Sequence, residues 1–195
     1  MGSHLIPDLI ASFRVRYPKV RFQLNQSNTT SLLQQLGEGT TDLCLCSVPG
    51  DAPFPLEWRQ LWSEELFVFV PTHHRLVDRP SVSLAEIADE PMISFKTGYG
   101  PRTIIDRLCA EAGFTPRIAF EGEEIHTVAG LAAAGFGVAL IPEVKGLGGY
   151  HLAKLSVSFP ECRRIIGVAW VKERYLSPSA KRFLQFVMEY FNGEA

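Results

Sequence analysis

Chemistry in this 195-residue chain would have to come from short segments that open helices. Glu123-Glu124-Ile125-His126-Thr127 stands at a predicted helix start. The first backbone N–H groups of a helix lack acceptors there, so a small anion can dock. Glu123 and Glu124 compete for the same dipole. Lys96-Thr97-Gly98-Tyr99-Gly100-Pro101 is a second opening, a glycine-rich loop ahead of a helix over Arg102 to Ala112. Lys96 and Arg102 would add charge to it. Ser27-Asn28-Thr29-Thr30 is a third, a run of cap-competent residues. Each opening also has a plainer reading. Asn28, Thr29 and Thr30 serve as caps without any ligand. Lys96 is a solvated loop charge, and His126 a helix-start residue bonded to backbone.

No catalytic constellation accompanies these openings. The chain has neither a G-x-S-x-G elbow nor an H-E-x-x-H pair. Gly98 and Gly100 do not build a phosphate loop, since the GxxxxGK[ST] order is absent. His73-His74 lacks a third ligand at zinc spacing. Cys44 and Cys46 alternate within LCLCSV, as small core residues on one side of a strand do. No CxxC pair argues for a zinc site, and nothing demands an oxidising compartment. A net charge of -2 provides no electrostatic footprint for nucleic acid. No secretory signal or bilayer-length apolar run is present.

The elements that must position the openings alternate along the chain. Leu5 to Tyr17 reads as an amphipathic helix with Leu5, Leu9, Ile10, Phe13 and Tyr17 on one face. Val20 to Gln26 alternates, which predicts a strand with Val20, Phe22 and Leu24 inward. A helix over Thr30 to Leu36 and a strand over Asp42 to Val48 follow. Leu56 to Trp62 and Glu65 to Val70 read as two further strands. Ser83 and Glu86 form a capping box for a short helix, Ser83 to Ala88. Met92 to Phe95, the helix Arg102 to Ala112, a strand over Arg117 to Glu121, a helix and Val138 to Ile141 then repeat strand–helix–strand. That succession predicts parallel sheets with right-handed crossovers. Gly135-Phe136-Gly137 stops the last of these helices, and Val138 to Ile141 reads as a strand covered on both faces. His151 to Phe159 and Arg163 to Lys172 are strands, and Ser179 to Phe191 is the final helix.

The stretch EGEEIHTVAGLAAAGFGVALIPE, Glu121 to Glu143, resembles the effector-binding domain of LysR-type transcriptional regulators. In that family a helix ending in small residues, a glycine turn, an apolar strand and a proline recur. Pro7, Phe13, Tyr17-Pro18-Val20, Leu33, Leu36, Gly39, Asp42-Leu43 and the closing SPSAKRFLQFV sit in the family's order, so the resemblance covers nearly the whole chain. The family also places a strand inside the first lobe's sheet ahead of the first helix, and this chain starts almost at the helix. MGSH reads either as an expression remnant or as part of the family's loop entering that helix.

The resemblance implies an α/β fold of two open parallel-sheet lobes, of the type II periplasmic-binding-protein-like architecture, with a ligand cleft between them. Lobe I would comprise residues 1-71 plus 159-195, and lobe II residues 72-158. It also implies a small effector, carboxylate or amino-acid-like, bound by Ser3, Asn28, Thr29, Phe95, Gly98, Arg102, Thr103, Ile125 and His126, with no metal and no cofactor. Transcriptional control in the cytoplasm, a homodimer or homotetramer, no membrane partner, and DNA contact only through an N-terminal winged helix absent from this chain complete the expectation. Thr30 to Leu36 and Leu66 to Val70 are the candidate oligomer contacts. A solute-binding protein of a transport system is the alternative, and an enzyme such as a dehydratase or deaminase is the third reading.

Overall fold

A computed structural model describes residues 5–50 and 52–193. The chain forms two compact units, one running to Trp62 and resuming at Ile165, the other from Ser63 to Arg164.

The first unit opens with helix α1, Leu5–Arg16. Phe13 is fully buried and meets Tyr17, Phe22, Phe183 and Phe186 at centroid distances of 4.7, 5.7, 5.1 and 5.3 Å. The last two belong to the closing helix α5, Pro178–Asn192. Its Ser177 cap accepts the Ala180 N–H at 3.2 Å. Helix α2, Thr29–Glu38, ends at Gly39, whose φ of 80° suits glycine. Strand β1, Cys44–Ser47, pairs antiparallel with β8, Arg163–Val171. Strand β2, Leu56–Pro71, lies on the other side of β8. Gly167 permits that packing, because a Cβ there would stand 2.3 Å from the Arg59 carbonyl oxygen.

Three expectations are corrected here. Val20 to Gln26 forms no strand. Val20 and Phe22 pack on the core, but Leu24 is 65% exposed. Alternation alone does not make a strand, and among the described residues Val20 to Asn25 joins no ladder. In the first unit β1 meets β8 antiparallel, where a parallel neighbour was expected. Leu56 to Pro71 is one continuous 16-residue strand; no glycine or proline stands between Leu56 and Val70 to break it.

The second unit holds the parallel sheet. Strand β4, Pro91–Phe95, lies between two parallel neighbours, β5 (Arg117–Gly122) and β6 (Val138–Pro142). Helix α3, Gly100–Glu111, connects β4 to β5, and α4, Ile125–Ala133, connects β5 to β6. The β2 segment Leu66 to Pro71 is flanked by β6 on one side and β7, Leu152–Phe159, on the other, both antiparallel. Leu66 to Val70 is thus an interior strand, which removes it as an open edge for an oligomer. Strand β3, Ser81–Ser83, runs parallel to β7. The short helix that follows is a single 3-10 turn, Leu84–Ile87, and Glu86 accepts the Ser83 N–H at 2.9 Å as half of the predicted capping box.

Every residue of β6 is buried, as a strand covered on both faces must be. Gly137 enters it at a place where a Cβ would lie 2.2 Å from the Pro91 carbonyl oxygen. Only glycine allows that approach.

Candidate functional site

The carboxyl ends of β4 and β5 lie side by side because the strands are parallel, with Phe95 opposite Gly122. The loops leaving them are joined at once: the Lys96 N–H donates to the Gly122 carbonyl at 3.0 Å. Each loop opens a helix, so the starts of α3 and α4 are both anchored to this strand pair. Helix starts beyond the carboxyl ends of parallel strands are where open α/β sheets take ligands.

In the first loop Gly98 adopts φ 90° and turns the chain into α3. Tyr99 occupies the cap position without a side-chain cap, and proline stands in the first turn. The α3 start thus has no acidic side chain of its own. Thr103 is exposed one residue beyond Arg102. In the second loop Glu124 is the cap of α4 and makes no side-chain cap bond. Ile125 and His126 follow, both half-buried, and the first helical bond runs from the Val128 N–H to the Glu124 carbonyl. Gly122 keeps α4 close to the sheet, since a Cβ there would be 3.0 Å from Val128 Cγ2.

Two cations serve the site, and both already hold carboxylates. Lys96 Nζ is 2.6 Å from Glu123 Oε1. The Glu123 bond holds the Lys96 ammonium above its ordinary range, while Lys96 and then Tyr99 hold the Glu123 carboxyl below its own. Arg102 Nε reaches both Asp106 oxygens at 3.0 and 2.9 Å, and its Nη1 donates to the Phe95 carbonyl at 3.1 Å and to Glu121. Arg102 therefore braces α3 to the ends of β4 and β5. The expected role of its charge as a ligand anchor shares the side chain with this brace.

The predicted residues separate accordingly. Phe95, Gly98, Arg102, Thr103, Ile125 and His126 are brought to these two loops. Phe95 is buried, and its carbonyl accepts from Arg102. Asn28 and Thr29 stand at the start of α2 in the first unit, where Asn28 Oδ1 accepts the Ser31 N–H at 2.8 Å, the plain capping role. Ser3 lies outside the described residues. Sequence reasoning missed the holders Asp106, Glu121 and Tyr99. The i, i+4 spacing of Arg102 and Asp106 was the available signal for one of them. It also missed Tyr150, whose ring lies 6.2 Å from that of His126.

A sequence profile of the LysR substrate binding domain matches residues 1–192. The chain belongs to the LysR substrate binding domain family. This LysR domain is 48% identical over 193 residues to YybE, an HTH-type transcriptional regulator of Bacillus subtilis (strain 168), covering 98% of this chain and 65% of that protein. It is 30% identical to the transcriptional dual regulator GltC of the same organism, again over 98% of this chain and 65% of the relative. The LysR domain thus spans about 65% of the length of these curated relatives. Among solved structures, the effector binding domain of QuiR in complex with shikimate matches with a TM-score of 0.94 at 31% identity, covering 99% of this chain and 93% of that one. The mixed α/β architecture with an open sheet is therefore that of LysR effector-binding domains, and the solute-binding alternative is not favoured. No helix of the described residues is long and apolar enough to cross a membrane.

Proposed function

We propose that this LysR domain is the sensing part of a transcriptional regulator and takes a small hydroxylated carboxylate at the starts of α3 and α4. The supporting observation is the pair of helix starts tied together by the Lys96–Gly122 bond. Formal charge alone does not attract an anion there: Lys96 pairs with Glu123, and Arg102 with Asp106 and Glu121. The carboxylate would instead be held by backbone N–H groups and the two helix dipoles, with Thr103 and His126 reading its hydroxyls. The shikimate bound by QuiR has this chemistry. On the first unit, Thr29 is the proposed contact. DNA recognition belongs to a part of the longer regulator outside this chain, self-association to a homodimer or homotetramer, and its place of work is the cytoplasm. The role is that of a binder rather than an enzyme.

Isothermal titration of the chain with shikimate, small hydroxy acids, dicarboxylates and amino acids tests the proposal. At least one acid is expected to bind. Thr103→Ala should weaken it by roughly three- to tenfold, the worth of one hydrogen bond. The melting temperature should stay in place, since Thr103 is exposed. Thr29→Ala is the corresponding test on the first unit. No binding across the panel, or unchanged affinity in both variants, defeats the assignment.

A further inference from the structure

We infer that Tyr150 is a positioning residue for the effector site, its ring holding the His126 imidazole in one orientation at the start of α4. The inference rests on the reading of that helix start as part of the site. His126 is the second residue of α4, beside backbone N–H groups that have no helical acceptor. Among the described residues, no hydrogen bond or ion pair orients its ring. Packing does so instead. The Tyr150 ring lies 6.2 Å away at an interplanar angle of 29°. Gly146, with φ 92°, closes against the same imidazole: a Cβ there would stand 3.2 Å from His126 Cε1. The Tyr150 ring in turn rests on α4 one turn further along, where a Cβ on Gly130 would lie 3.5 Å from Tyr150 Cε1.

A half-buried imidazole held by packing alone keeps both nitrogens for a ligand. Neutral histidine then offers one donor and one acceptor, suited to a carboxylate and a neighbouring hydroxyl. Holding the ring before the ligand arrives removes an ordering cost from binding. Tyr150 sits in the loop after β6, far from His126 in sequence, so no local spacing links the two.

Spectra of the histidine Cε1–H groups in the unliganded chain provide the first test, with His126→Gln assigning the resonance. Wild type and Tyr150→Phe should show a ring-current-shifted His126 signal. Tyr150→Leu should move it towards the position of an exposed histidine. An unmoved signal in Tyr150→Leu overturns the inference. The second test titrates the same variants with the acid that binds wild type best in the panel above. Tyr150→Leu should lose roughly two- to tenfold in affinity, and Tyr150→Phe should retain it. Loss in Tyr150→Phe as well would mean that the hydroxyl, not the ring, matters, and overturns the positioning role. Weakened binding in His126→Gln with wild-type binding in Tyr150→Leu also overturns it, while leaving the site standing. No binding by any acid, or wild-type binding in both His126→Gln and Tyr150→Leu, defeats the site reading and the inference together.

Discussion

Several residues carry consequences that depend only on their immediate surroundings. Ser94 is fully buried on β4, and its hydroxyl has no hydrogen-bond partner among the described residues. Strand alternation turns it to the face opposite Phe95. A buried hydroxyl without a partner costs free energy that its removal returns. Ser94→Ala should leave urea stability unchanged or raise it by up to about 1 kcal/mol. Arg164 is the reverse case. It is buried, and its Nη2 lies 3.1 Å from Glu64 Oε2 in an ion pair whose angles do not make a hydrogen bond. Glu64→Gln removes the opposing charge and should destabilise the domain by about 2 kcal/mol or more in a denaturant melt, because it strands a buried cation. The four cysteines are all buried and free. Burial pushes the thiols of Cys109 and Cys162 up to about 12. Thiolate is the reactive form, so a thiol reagent at pH 8 should label Cys109 and Cys162 only as fast as the chain unfolds. Rapid labelling of either would contradict this.

At the scale of elements, helix ends decide the connections. Arg174 donates to the Leu36 and Gly37 carbonyls at 2.5 and 2.6 Å, closing the end of α2 from the turn that follows β8. A guanidinium there satisfies orphan carbonyls and complements the negative end of the dipole. Arg174→Ala should cost about 1–3 kcal/mol, measured by thermal or chemical melts. The preceding residue, Glu173, sits at φ 61° without being glycine, a position read only from the structure. Phe13 stands at the centre of the α1–α5 seam: Phe13→Ala should cost about 3–5 kcal/mol, the loss expected for a fully buried aromatic ring. The two candidate-site loops are bridged by the exposed Lys96–Glu123 pair. Glu123 has a depressed pKa, so this contact is present above the ordinary carboxylate range and is lost as pH falls through the folded-state value. A Glu123 carboxyl titrating at or above the ordinary range in NMR would show that the contact does not form in solution.

At the scale of the whole chain, two units share the work differently. The second unit has a continuous core from Leu66 to Cys162 and the parallel strands that carry the site loops. The first has three smaller clusters around β1, β8, α1 and α5. Local pattern was enough for most of this. The small-residue helix, its glycine stop and the buried strand before Pro142 follow from periodicity and from backbone freedom at Gly135 and Gly137. The caps at Asn28 and Ser177 follow from side chains that bond their own helix starts. Such features depend on neighbours within a few residues, and a sequence displays those neighbours directly.

Tertiary structure alone decided the rest, for one reason: partners distant in sequence have no spacing to reveal them. Val20 to Asn25 has the alternation of a strand, yet it joins no ladder among the described residues. Leu66 to Val70 has the composition of any strand, and only its two neighbours, β6 and β7, make it interior. Arg102 reads as a free cation until Asp106, Glu121 and the Phe95 carbonyl converge on it. His126 reads as a helix-start residue until Tyr150 and Gly146 arrive from the loop beyond β6. The sequence by itself determined the family and most of the elements, and it pointed to the loops proposed to take a ligand. Which side chains in those loops hold the fold was decided by long-range packing.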